Sequence, residues 1–306
     1  MKGRTDKQSP DRVEGEQPVT ASWPGIASAR HVGKHGVVQC NATIEQVLSA
    51  ANLARAWKRV KANRGAPGID AMSIDDFPAF KRQHWERIDS DLRKGTYRPA
   101  PVRRVFIDKP DGTQRPLGIP TVLDRVIQQA IAQVLTPMYD PEFSDHSYGF
   151  REGRSAHQAV RTLEQAWKQN RRHAVDCDLK SFFDTVNHER LLARLQQKIG
   201  GGVLLRLIGR YLRAGVVMPD GSREATPCGV PQGGPLSPLL ANIVLDPLDK
   251  TLVTRGHLFA RYADDFIVMV ASAKAAQRVI KSLTGYVEGS LKLVVNQAKS
   301  RTAPLR

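Results

Sequence analysis

Cysteine is scarce in this chain of 306 residues: Cys40, Cys177 and Cys228 stand far apart, none at C-x-x-C spacing. That excludes a disulfide framework and a thiolate zinc site, and a reducing, cytoplasmic setting is expected. No apolar run approaches the roughly 18 residues a membrane span needs. The N-terminus lacks the apolar stretch of a secretory signal. Internal repeats are absent. Acidic residues are in deficit, 30 against 46 Lys and Arg, for a formal net charge of +16. With no amphipathic anchor beside it, a surplus of that size points to a polyanion, nucleic acid before membrane, over a merely soluble basic protein. Apolar residues supply 41% and charged residues 25%, enough for a real core.

What is present divides the chain in two. Residues 1–42 are rich in Ser, Gly, Pro, Lys and Arg without hydrophobic period, and read as a flexible basic tail. Order is expected from Thr43. Thr43 and Gln46 form a capping box, and Ile44, Val47, Leu48, Ala51 and Ala54 follow at helical spacing. Asn63–Gly68 breaks that helix, and a second is expected over Pro78–Arg93. Val102–Asp108 and Thr113–Ile119 flank Pro110-Asp111-Gly112 as a hairpin. Helices are expected over Val122–Leu135, Ser155–Gln169, Asn187–Lys198, Val203–Arg213 and Pro238–Leu252, with a hairpin over Val216–Ala225. Ala174–Leu179, His257–Tyr262, Phe266–Val270 and Lys292–Val295 read as strands. The strand order resembles a split βαβ unit, giving an α+β fold with a small, mostly antiparallel sheet and helices on one face.

Tyr262-Ala263-Asp264-Asp265 separates two apolar strands. Adjacent anions there fit two situations: a solvent-exposed hairpin tip, or a divalent cation held by carboxylates. On the Ala174–Leu179 strand, Val175, Cys177 and Leu179 share one face while Asp176 and Asp178 share the other. If that strand neighbours the hairpin, Asp178 and Asp264 can share two metals about 3.5–4 Å apart. Asp176 is the weaker candidate and reads as an edge aspartate. A further set, Lys81, Arg82, Trp85, Arg87, Arg93, Lys94, Tyr97 and Arg98, mixes bases with aromatics. It fits an RNA track or an amphipathic helix with a solvated basic face.

Five blocks then stand in order: Lys109-Pro110-Asp111-Gly112 with Arg115-Pro116-Leu117-Gly118-Ile119-Pro120; His146–Arg151 with Gly153-Arg154-Ser155; Asp178–Asp184; Gly229–Asn242; and Tyr262–Asp265. In this order and spacing the chain resembles the bacterial reverse transcriptases, specifically the group II intron-encoded reverse transcriptase/maturase branch, over about residues 43–301. The Ser147–Arg151 stretch resembles the intron branch more than the retron-like or antiviral-defence branch.

The resemblance implies a right-hand fold, with fingers over about 43–170 and palm over about 171–306, interleaved. It implies an RNA-directed DNA polymerase, a nucleotidyltransferase that uses two Mg²⁺ ions, with Mn²⁺ as a substitute. Partners implied are an RNA template, a DNA or RNA primer, dNTPs and the element's own group II intron RNA. Asp178, Asp264 and Asp265 become the catalytic and metal-binding carboxylates, the first two most directly. Phe183 takes the sugar-gate position, where its ring would meet a ribose 2′-hydroxyl; read alone it is a core residue. Lys109 and Arg115 would grip the triphosphate, though alone they read as a solvated face. Gln232 and Gly233 would let backbone approach the template–nucleotide pair. Lys299 falls in a late palm motif near the same phosphates. Family members continue into a helical thumb, and this chain ends at Arg306. The expectation is therefore fingers and palm without a thumb. The competing expectation is an inactive, truncated RNA-binding remnant that keeps the fold.

Overall fold

A computed structural model describes residues 41–109, 112–200 and 202–305. Most of the expected tail, Cys40, and the hairpin residues Pro110 and Asp111 lie outside these. The tail boundary shifts slightly. Ala42 is fully buried and bridges Ile199, its N–H donating to Lys198 O at 3.0 Å.

The Thr43–Gln46 capping box forms, but the helix it starts, α1 (Ile44–Val47), is short. Ser49 is extended, and α2 (Ala50–Ala62) begins anew. Buried Asn52 explains the break: its Nδ2 donates to Val47 O and Ala130 O, both at 3.0 Å, satisfying the carbonyl the break frees. The phase therefore shifts. Leu53, Ala56 and Val60 face the core, and the expected Ala51 and Ala54 are exposed.

Next come α3 (Phe77–Lys94), the strands β1 (Val102–Asp108) and β2 (Gln114–Ile119), α4 (Val122–Tyr139) and α5 (Ala156–Lys168). After them stand β3 (His173–Cys177), α6 (Phe182–Thr185), α7 (His188–Gln196) and α8 (Gly202–Leu212). Then follow β4 (Val216–Val217), β5 (Arg223–Glu224), α9 (Ser237–Thr254), β6 (Leu258–Tyr262), β7 (Asp265–Val270), α10 (Ala273–Tyr286) and β8 (Arg301–Pro304). α4 and α9 are buried on most sides and form the centre of the core. Among the described residues no helix is long and apolar enough to cross a membrane.

Two four-stranded sheets result. The first has the order β2-β1-β4-β5, because β1 and β4 pair in parallel and join the two expected hairpins. The second, β6-β7-β3-β8, is antiparallel throughout. Val175, Cys177, Phe259, Phe266 and Val268 point from it into the main core, each such side chain contributing about 1.5–3 kcal/mol.

Three expectations are corrected here. Helices cover both faces of the second sheet, since α5 seals part of the other face through Ala166 against Ala174 and Met269. The last strand is β8, not Lys292–Val295. Lys292 is left-handed, and that segment contributes a single bridge, Val295 to Leu179. The aromatics of the basic set are structural: Trp85 packs on the core, and the Tyr97 hydroxyl donates to Asp124 at 2.7 Å. Only the bases of that set remain as a surface feature.

Candidate active site

The second sheet brings the expected carboxylates together. In the β3–β7 ladder Asp176 faces Ile267 and Cys177 faces Phe266, so the next step places Asp178 beside Asp265. Their carboxyl groups are close enough for the charge of Asp178 to be felt at Asp265. The Asn296–Ser300 turn holds Asp178 from the other side. Asn296 Nδ2 donates to Asp178 Oδ2 at 2.7 Å, and Asn296 N–H donates to Asp178 O at 2.8 Å. Asp178 N–H donates to Ser300 Oγ at 3.1 Å.

Asp264 follows Ala263, whose φ of 60° lies in the left-handed region. Arg261 holds that turn from beneath. This arginine is fully buried. Its guanidinium donates to both oxygens of buried Asp249, at 2.8 and 2.6 Å. It also donates to Asn242 Oδ1 at 3.0 Å, Ser147 Oγ at 2.7 Å and Ala263 O at 2.7 Å. Asn242 Nδ2 in turn donates to Gly149 O at 3.0 Å. A Cβ on Gly149 would collide with Ala263 N, so glycine permits this close approach. Beyond it Phe150 is left-handed at φ 62° and 51% exposed. Arg151 pins the far side, donating to Asp140 Oδ1 at 2.7 Å, Ser144 O at 2.7 Å and Ser147 O at 2.9 Å.

Electrostatics follow from this crowding. Burial and the charge of Asp178 raise Asp264 above the usual carboxylate range, opposed by Arg115 and Arg261. Asp265 sits at the exposed rim of the turn, yet its inner side is desolvated. That desolvation, with the charges of Asp264 and Asp178, pushes it up to about 6. Arg115 on β2 thus acts on Asp264 from across the two sheets. A cation would relieve the same repulsion. Among the described residues no three acidic, His or Cys side chains converge as a ready cage. Magnesium does not need one, since two carboxylates, water and substrate phosphates satisfy it. Asp178 and Asp264, hard oxygen donors with raised mutual repulsion, fit that requirement.

The remaining expected residues fall in three places. Phe183 and Gln232 line one cavity of about 210 Å³. Phe183 is half-buried, edge-on to Phe182 at 5.2 Å, and its carbonyl accepts from Val230 N–H at 2.6 Å. Gln232 O accepts from Gly118 N–H at 2.7 Å. Gly233 is left-handed at φ 114°, and a Cβ there would lie 2.6 Å from Gly118 O. Its close approach is thus to β2. Lys109 sits at the turn end of the first hairpin and Lys299 in the Asn296–Ser300 turn. Neither side chain has a partner among the described residues.

Sequence reasoning missed Asp249, Arg261, Asn296 and Ser300 as supports of the site. A signal existed for the first pair: Arg261 shares strand parity with buried Phe259, and Asp249 lies among Leu245, Leu248 and Leu252 on α9. Opposite charges at two core positions imply a buried pair. Nothing local marks Asn296 or Ser300.

Comparison with known proteins agrees with this architecture. The family model described as reverse transcriptase (RNA-dependent DNA polymerase) matches residues 107–304. Protein YkfC of Escherichia coli K12 is 33% identical over 289 residues, covering 81% of this chain and 76% of that protein. Group II intron-encoded protein LtrA of Lactococcus lactis subsp. cremoris is 34% identical over 256 residues, covering 82% of this chain and 42% of its own length. The chain thus spans under half the length of that relative. A chain of the partial Cas6-RT-Cas1–Cas2 complex superposes with a TM-score of 0.50 at 27% identity, covering 80% of this chain and 42% of that one. A telomerase chain from Candida albicans shares the fold alone, with a TM-score of 0.51 at 13% identity. By sequence family and by fold, with mixed helices and small sheets arranged as in fingers and palm, the chain belongs to the reverse transcriptases.

Proposed function

We propose that this chain is an RNA-directed DNA polymerase of the group II intron type, transferring a nucleotide from a dNTP to a primer 3′-hydroxyl on an RNA template. Fingers then span about residues 43–170 and palm about 171–306. The observation that carries the reading is the meeting of Asp178, from the end of β3, with Asp264 and Asp265, from the β6–β7 turn.

Asp178 and Asp264 would hold magnesium, as two ions, with Asp265 as accessory and manganese as a substitute. Bound there, the metal supplies charge neutralisation for the triphosphate and a lowered pKa for the primer hydroxyl. The chain's own residues do the positioning. Arg115 faces the carboxylates and suits a bidentate grip on the triphosphate. Lys109 on the same hairpin and Lys299 in the turn that holds Asp178 add charge at the rim. Phe183 excludes a ribose 2′-hydroxyl, Gln232 shapes the nucleotide side of the shared cavity, and Gly233 lets that loop lie close against β2. Arg261 keeps Asp264 aimed by fixing Ala263.

A second reading, an RNA-binding splicing role without polymerisation, draws on the likeness to LtrA, whose name marks it as intron-encoded. One comparison separates the two: incorporation of labelled dTTP on poly(rA)/oligo(dT) with Mg²⁺, wild type against Asp264→Ala. Extension by the wild type alone supports polymerisation. Extension by neither, with salt-sensitive RNA binding retained, supports the splicing role.

A further inference from the structure

We propose that the groove between α7, α8 and the Arg98-Pro99 segment docks single-stranded RNA, at a site separate from the carboxylates. The groove holds about 570 Å³. None of its lining residues lies on β3, β6 or β7.

Its charge is of one sign. Arg206, Arg210 and Arg213 recur at i, i+4 and i+7 and so share one face of α8 and the turn that ends it. Arg98 faces them from the opposite wall. No acidic side chain lines the groove, and none of the four has a carboxylate partner among the described residues. Like charges at this spacing weaken a helix, so α8 carries an array that a polyanion would relieve.

The concavity is built into the backbone. Gly209 sits within α8, and a Cβ there would lie 3.2 Å from Arg213 Nη1 and 3.4 Å from Leu192 Cδ1. Arg210 ties the two walls together, Nη1 donating to Gly95 O at 2.5 Å and to Tyr97 O at 2.8 Å. That leaves Arg98, Arg206 and Arg213 exposed, with Arg213 spending one Nη1 donor on Gly209 O at 3.4 Å.

The occupant follows from this chemistry. Every cation is a guanidinium, the group that matches phosphate oxygens two at a time. Leu192, Leu205 and Pro99 supply apolar walls of the kind that receive a base or ribose face. A duplex buries its bases and would leave those walls idle. An acidic peptide would use the charges but has no need of the walls.

The experiment is fluorescence anisotropy of the full chain with a short, unprimed, single-stranded RNA over a series of salt concentrations. The variant Arg98→Ala/Arg206→Ala/Arg213→Ala keeps the structural Arg210. Its control, Lys274→Ala/Arg278→Ala/Lys281→Ala, removes the same charge at similar spacing from the exposed face of α10. The groove variant is expected to bind at least tenfold more weakly. The slope of log K against log salt should fall by about 2, at roughly 0.7 per lost phosphate contact. The control should lose far less. Equal losses in both variants would overturn the proposal, as would equal competition by polyglutamate, which would assign the groove to an acidic protein. Arg98→Glu alone, outside any helix or strand, repeats the sign of the test without touching α8. Primer extension run in parallel keeps the two readings apart, since a wild type that never extends a primer can still lose RNA affinity through this groove.

Discussion

Arg261 and Asp249 form a fully buried, doubly hydrogen-bonded ion pair, closest at 2.6 Å, directly beneath the turn that carries Asp264. Removing either partner alone leaves an uncompensated charge in the core. Asp249→Ala or Arg261→Met is expected to cost about 3–5 kcal/mol in urea denaturation. The double variant Arg261→Met/Asp249→Leu should recover much of that stability. Its primer extension should stay low, because Ala263 O and Ser147 Oγ have lost their donor. Full recovery of extension in the double variant would remove Arg261 from any role in aiming Asp264.

A second expectation concerns pH. Asp265 titrates at about 6 in the folded chain, above the roughly 3.9 of an unfolded aspartate. Between those values the folded state binds more protons than the unfolded one. Its contribution to stability is therefore present at low pH and is lost as pH rises toward 6 and beyond. In EDTA, melting temperature of the wild type should fall across this window relative to Asp265→Asn. Parallel profiles for the two proteins would assign the repulsion elsewhere.

Gly149 and Phe150 are adjacent and predict opposite outcomes. Gly149→Ala drives a methyl into the backbone of Ala263, an overpacking that costs about 1–3 kcal/mol, and should reduce primer extension by more than its stability loss explains. Phe150 holds a left-handed φ that costs an L-residue about 1–2 kcal/mol. Phe150→Gly should therefore stabilise by roughly 0.5–1 kcal/mol after its entropy cost, while Phe150→Ala should not. Urea denaturation of the three variants, with primer extension by Gly149→Ala, decides both points.

Phe183 shares its cavity with Gln232 and packs edge-on against Phe182. If it gates the sugar, Phe183→Val should narrow the preference for dNTP over rNTP, roughly 10–200-fold, with most of the change in kcat/KM for the ribonucleotide. An unchanged ratio accompanied by a stability loss would return Phe183 to a purely packing role.

Much of this molecule is legible one segment at a time. The apolar run of Phe266–Val270, the helical period of Val122–Leu135 and the Thr43–Gln46 capping box each depend on neighbours within a few residues, and each forms. Where segments failed to read correctly, a distant contact had decided the matter. Asn52 breaks the first helix because α4 presents Ala130 O to it. Tyr97 looked like a stacking surface until Asp124, held by Thr121 at 2.8 Å and by Tyr211 at 3.1 Å, claimed its hydroxyl. The final strand shifted to Arg301–Pro304 because β3 offers its free edge there.

The sequence by itself determined the family and most of the element order, and singled out three aspartates, because motif blocks and hydrophobic periods are written in chain order. Only the tertiary structure decided that Asp178 lies beside Asp265, that the charge of Arg115 on another sheet is felt at Asp264, and that an arginine buried beneath the turn holds its backbone. Those facts rest on strand register and on burial, which arise from contacts between residues far apart in the chain. Local pattern carries no record of them.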